Sequence, residues 1–233
     1  MNSRLSKLRE HPAFPRALPF AVYMIFIALI PVMSYLWRLI SPTTPFDERL
    51  IYPIKVACVA LLLTLLWKRF KELLHFNLQL RDVLWSLTVG VAVFILWINL
   101  DQEWMKIGSS TGFNPLDPTG NINWYLAIPR LLGATLVVPI MEELFWRSFL
   151  ARWIERPDFL NVTPTQIGLR ALLISSVLFG IEHTLWLAGI IAGLAYGALY
   201  IFRGKLWAPV LAHATTNGLL GLWVLQSQQW DFW

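Results

Sequence analysis

Val137-Val138-Pro139-Ile140-Met141-Glu142-Glu143-Leu144-Phe145-Trp146-Arg147 decides how the rest of the chain is read. Two adjacent glutamates and an arginine interrupt a run that otherwise belongs in hydrocarbon. A charge at the centre of a bilayer-spanning helix costs about 2.5–3.5 kcal/mol on insertion scales, and it persists where it faces a protein-lined cavity with partners. Glu142, Glu143 and Arg147 are therefore expected at a functional site whose other members lie elsewhere in the chain. Glu143 and Arg147, four apart, share a helical face and can pair. Glu142 lies about 100° round from Glu143, so the two carboxylates can hold different jobs.

The surroundings of this stretch are those of a membrane protein. Of 233 residues, 57% are hydrophobic and 14% charged, with a mean hydropathy of +0.56. Soluble domains are nearer 45–50% apolar and about 25% charged. The expected fold is all-α: a polytopic bundle of about seven transmembrane helices, forming a single integral membrane domain over 1–233. Its spans are read at about 17–37, 50–67, 83–100, 124 onward through the glutamates, 169–186, 187–202 and 209–225. Pro31 is a candidate kink in the first. Thr163-Pro164 reads as the N-cap and first residue ahead of the fifth. Gly189 and Gly193, with Gly197 four further on, suit close helix contact in the sixth.

Charge sets the expected topology. The net charge of +5 comes with no basic block interleaved with aromatics, so no nucleic-acid partner is expected. Instead, Lys and Arg collect at the N-terminus (Arg4, Lys7, Arg9, Arg16) and in the loops at 68–82, 148–170 and 203–205. By the positive-inside rule these face the cytoplasm, leaving the loops at 40–49 and 101–123 and the C-terminus outside a cell (inner) membrane. Membrane lipid is then an obligatory partner; nothing in the sequence sets the oligomeric state. The single Cys58 excludes an intrachain disulfide and reads as a small buried hydrophobe.

Two later helices bring polar groups into apolar surroundings: Phe179-Gly180-Ile181-Glu182-His183, and His213-Ala214-Thr215-Thr216-Asn217. Taken singly, each has a structural reading. An intramembrane His is often a hydrogen-bonded core residue, Asn217 could join helices, Glu143–Arg147 could be a structural pair, Phe179 could be core, and Glu182 has no evident partner. Jointly, two acids, two imidazoles and an amide suit hydrolysis. A carboxylate beside an imidazole can hold and deprotonate water, and a second imidazole with an amide N–H can donate to an oxyanion. No Ser or Cys stands in a nucleophile setting, so water is the expected attacker. Helix lengths allow these groups to converge in the cytoplasmic half of the bundle.

In this order, Glu142-Glu143-x-x-x-Arg147, Phe179-x-x-x-His183 and His213-x-x-x-Asn217 resemble the CAAX protease and bacteriocin-processing family of intramembrane endopeptidases, over about 130–225. The resemblance implies a CAAX prenyl protease-like hydrolase without cofactor, acting on a membrane-associated or lipid-anchored protein or peptide. It implies that Glu142 and His183 activate water, that His213 and Asn217 form the oxyanion hole, that Glu143 and Arg147 support the site, and that Phe179 lines it. Trp146-Arg147-Ser148-Phe149-Leu150 and the closing Gln229-Trp230-Asp231-Phe232-Trp233 resemble the subgroup associated with exosortase sorting systems. Three other readings stand beside this one. A zinc metalloprotease would use His183, His213 and a glutamate as ligands, although no H-E-x-x-H helix is present. The others are a non-catalytic membrane partner or immunity protein and a small proton-coupled transporter.

Overall fold

In a computed structural model of the chain, residues 9–108 and 112–233 are described; Arg4 and Lys7 lie outside them. Seven helices account for the described chain, and it contains no strand. They are α1 (Ala13–Ile40), α2 (Ile51–Leu66), α3 (Leu80–Trp97), α4 (Trp124–Glu155), α5 (Leu169–Ile181), α6 (Trp186–Arg203) and α7 (Trp207–Ser227). Five stretches, containing α1, α2, α3, α4 and α6, are long and apolar enough to cross a membrane. α7 has the length, but His213, Thr215, Thr216 and Asn217 at its centre lower its hydropathy. Large apolar side chains such as Ile25, Leu61, Leu84, Leu136 and Phe202 point outward, as lipid-facing residues do.

The fifth helix departs from expectation. A span to residue 186 was expected, but α5 has thirteen residues, about 20 Å at 1.5 Å per residue and short of a ~30 Å hydrocarbon core. Thr163 and Pro164 do cap a helical start, with Gln166 completing the box, yet they start a single 3-10 turn; α5 begins only at Leu169. α1 runs unbroken through Pro19 and Pro31. Cys58 is half-buried rather than buried.

Small residues set the two tightest helix contacts. A Cβ on Gly90 of α3 would stand 2.5 Å from the Ala212 carbonyl oxygen of α7, and Thr216 Oγ1 donates to the Gly90 carbonyl at 2.8 Å. The glycine stripe of α6 packs on α5, as its spacing suggested. A Cβ on Gly189 would meet Gly180 at 2.9 Å, and one on Gly193 would meet Ser176 at 2.9 Å. With no apolar driving force between helices in lipid, such close packing supplies the association.

Ion pairs fasten the basic end. Asp82 in the first turn of α3 accepts from its own Gln79 N–H (2.9 Å), from Arg203 Nε (2.6 Å) and from Lys205 Nζ (2.8 Å), tying α3 to the α6–α7 turn. In that turn Gly204 takes the left-handed conformation, φ +67°, which ends α6. Glu72, between α2 and α3, accepts from Arg16 Nε (2.8 Å) and Nη2 (2.7 Å) and from the Ser148 hydroxyl. Arg152 Nη2 bonds that same hydroxyl at 3.0 Å, so α1, the α2–α3 loop and α4 meet at one carboxylate.

Burial alone would push the Glu72 carboxyl up, but the Arg16 hydrogen bonds and charge, with Ser148, hold it below the usual carboxylate value. A depressed folded value means that this contribution is fully present above the unfolded value and is lost as pH falls through the folded one. Glu72→Gln should therefore cost about 3 kcal/mol at neutral pH. Thermal unfolding in detergent should show its gap to wild type narrowing below the ordinary carboxylate range.

Candidate active site

The middle of α4 is wound more loosely than an α-helix: Gly133–Val137 and Leu144–Ala151 are π-helical. Such turns concentrate at functional sites because they re-aim side chains. The first leaves a carbonyl to spare. Val138 N–H bonds to Gly133 O, and the next possible donor, Pro139, has no N–H. Ala134 O is met instead by Asn217 Nδ2 of α7 at 2.9 Å. A backbone defect in α4 thereby docks one of the candidate residues.

Between the π turns, Val138–Glu143 is α-helical and turns both glutamates inward. Glu143 has no solvent exposure, and its two oxygens serve two helices. Oε1 stands 3.0 Å from His213 Nδ1, and Oε2 forms a 3.1 Å ion pair with Arg147 Nε that misses hydrogen-bond alignment. Arg147 also donates from Nη2 to the Gly193 carbonyl of α6 at 3.2 Å, with its guanidinium 4.7 Å from the Phe179 ring centre. The expected Glu143–Arg147 pair is present, and it carries His213 with it.

Glu142 points elsewhere. Its Oε2 is buried with no hydrogen-bond partner and lies 4.0 Å from His213 Nε2. That distance is too long for a direct bond and suits groups that share a water. No ion pair or hydrogen bond joins Glu142 to His183, although both line one cavity of about 210 Å³ with Phe179, His213 and Asn217. Phe179 separates the imidazoles, 4.7 Å from His183 and 6.1 Å from His213 between ring centres.

The two imidazoles are held differently. His183 Nδ1 is 2.7 Å from the Phe179 carbonyl. Because a carbonyl only accepts, Nδ1 carries the proton, and the neutral ring keeps a lone pair at Nε2. His213 Nδ1 faces a carboxylate, so it too carries a proton there. Its Nε2 faces the cavity, and its ring stacks on Tyr196 at 4.9 Å. Among the described residues, no group of three or more His, Cys, Asp or Glu side chains is placed to hold a metal ion.

The candidate residues sit at different levels along the bundle. His183 lies past the end of α5 rather than on it, in a turn where Ile107 N–H bonds to Thr184 O at 2.8 Å. His183 therefore sits beside Ile107, at the end opposite the basic loops, while His213 lies in the second turn of α7 from the basic α6–α7 connection, so the cavity runs from mid-bundle toward the far end. Six lining residues, among them Tyr23, Trp97, Arg130 and Trp233, are shared with a wider vestibule of about 580 Å³ reaching Glu48, Gly112 and Asp231 at that end.

Several contributors escaped the sequence reading. Tyr196 supports the His213 ring, and its hydroxyl donates to Thr216 at 2.7 Å; a Tyr beside Gly197 in the α6 glycine stripe was the available sign. Trp97 packs edge-on against His183 at 5.4 Å without any local signature. Lys55 and Arg130 stand on apolar helices and carry the same signal of charge in hydrocarbon as the glutamates.

No curated protein and no solved structure matches the chain. A protein-family comparison covers α4 through Leu219 of α7, leaving α1 to α3 outside. Residues 124–219, the stretch that builds the site, match the family model described as Rce1-like, type II CAAX prenyl endopeptidase.

Proposed function

We propose that the chain is an intramembrane endopeptidase cleaving a peptide bond near a membrane-associated or lipid-anchored segment with an activated water. The observation that carries this is the unpartnered Glu142 carboxylate, 4.0 Å from an imidazole held from behind by Glu143. Glu142 takes a proton from water, with the His183 Nε2 lone pair as second acceptor, and the hydroxide adds to the carbonyl carbon. His213 donates from Nε2 when doubly protonated, with Glu143 placed to balance its charge. The Asn217 amide, with one N–H on Ala134, has a second for the same oxyanion. Collapse breaks the C–N bond, and the proton on Glu142 passes to the leaving amine. The exosortase-associated subgroup remains part of the proposal, resting on the motif flanks and the aromatic C-terminal tail.

The same reading assigns sides. Lys68, Arg69, Lys71, Arg81, Arg152, Arg156, Arg170, Arg203 and Lys205 all lie in or beside the connections at one end. Facing the cytoplasm, as the positive-inside rule requires, they put the vestibule on the outer side of the cell (inner) membrane. Substrate segments would then be exported ones.

Purified chain should cleave members of a library of lipid-anchored and transmembrane-tail peptides, with new termini found by mass spectrometry. Glu142→Ala should lower the rate by about 10²–10⁴-fold and Asn217→Ala by about 10²–10³-fold in kcat, with a chelator having no effect. Equal cleavage by Glu142→Ala would remove Glu142 from its role, and chelator inhibition reversed by zinc would favour the metalloprotease. For sidedness, with Cys58 replaced by Ala, a membrane-impermeant maleimide should label Asp231→Cys in intact cells and Lys71→Cys only after permeabilisation. The opposite pattern would place the site on the cytoplasmic face.

A further inference from the structure

Two cations beside the catalytic cavity, Lys55 buried and Arg130 half-buried, have no role in the hydrolysis just described. Lys55 of α2 is 6% exposed, with Nζ 3.8 Å from the Tyr23 ring centre and 5.0 Å from that of Tyr52. The Arg130 guanidinium of α4 lies 4.4 Å from the same Tyr52 ring, flanked by Phe113 at 5.5 Å and Trp233 at 6.0 Å. Among the described residues neither side chain has an ion pair or a side-chain hydrogen bond, and Arg130 Nε is buried without a partner.

Two like charges on one aromatic ring repel, and cation–π contact offsets only part of the cost of removing each from water. Every acid nearby is either engaged or out of contact. Glu48 accepts from the Ser34 hydroxyl, and Asp47 pairs with Arg49. Glu142, Glu182 and Asp231 line the cavities without touching either cation. What is missing is an anion that reaches both. Arg130 lines both the catalytic cavity and the vestibule, so such an anion would belong to whatever occupies the site.

We propose that Lys55 and Arg130, sharing the Tyr52 ring, form a carboxylate subsite that anchors the substrate in the vestibule beside the scissile bond. This rests on the endopeptidase reading. A peptide offers a carboxylate from two sources, its free C-terminus or an internal Asp or Glu. The planar fork of Arg130 suits the planar group, while the tyrosine, phenylalanine and tryptophan walls take the apolar flanks. The subsite is a specificity device: it binds and orients, and takes no part in proton transfer.

The test uses one membrane-anchored peptide that the wild type cleaves, in three forms: free acid, C-terminal amide, and amide with one internal Glu beyond the scissile bond. Wild type should favour the free acid over the plain amide by about tenfold or more in kcat/KM. The internal-Glu amide should recover that preference only if side-chain carboxylates are also accepted. Arg130→Gln and Lys55→Met should raise KM for the acid with little change in kcat, leave the plain amide unaffected, and level the forms; Arg130→Lys should restore part of the preference.

Equal handling of all three forms by the wild type would overturn the subsite without needing a variant that folds. So would variants that lose the same factor on acid and amide, since that reports a structural role. If no peptide is cleaved, the endopeptidase reading is what fails. Equilibrium binding of fluorescent acid and amide peptides to the detergent-solubilised full chain then judges the subsite alone. Tighter binding of the acid, lost in Arg130→Gln, supports it, and equal binding refutes it.

Discussion

Glu143 is the constraint on which the site depends. Its carboxylate is out of contact with water, with one oxygen on His213 and the other against Arg147. Removing an ionised carboxylate from water is recovered only if both oxygens are met by charge or strong donors. The consequence is geometric: α4 and α7 must hold a register that brings an imidazole to one side of Glu143 and a guanidinium to the other. Arg147 passes the constraint on to α6 through the Gly193 carbonyl. Three helices are thus aligned by one buried charge, and Glu142, the next residue along, is left facing a cavity.

The second device works through the backbone. A π turn followed by Pro139 leaves the Ala134 carbonyl without a helical donor, and Asn217 supplies one from α7. An orphan carbonyl in hydrocarbon is costly, so the amide is held firmly even though its helix carries a polar centre. Gly90 and Thr216 bring α3 and α7 together at the same level. Precision at the site therefore comes from satisfying backbone groups as much as from apolar packing. The basic end, with Glu72 and Asp82 each gathering cations from distant segments, acts as a separate clasp, leaving the opposite end open as the vestibule.

Much of this was legible in the chain. The cost of charge in lipid singled out Glu142, Glu143 and Arg147, and the i,i+4 spacing gave the Glu143–Arg147 pair. The alternation of apolar runs and basic loops gave seven helices, and the glycine spacing on α6 suited a close helix contact, which the packing makes with α5. Those inferences succeed because helical period, hydration cost and side-chain size are local properties. Lys55, a charge on an apolar helix, is equally legible.

Tertiary structure alone decided the rest. Which carboxylate faces the cavity and which is spent on Arg147 and His213 depends on the rotation of α4, itself set by π turns that no periodicity announces. The thirteen-residue α5 puts His183 at the end of the bundle opposite the basic loops. A hydropathy pattern cannot show this, because apolar residues stand on both sides of Glu182-His183-Thr184 and do not mark where the helix stops. Trp97 and Tyr196 become neighbours of the histidines only when α3 and α6 are packed. Lys55 and Arg130, 75 residues apart by their numbers, share a tyrosine ring because α2 and α4 lie side by side. Sequence determines which groups must find partners in an apolar medium; the packing of helices determines which partners they find.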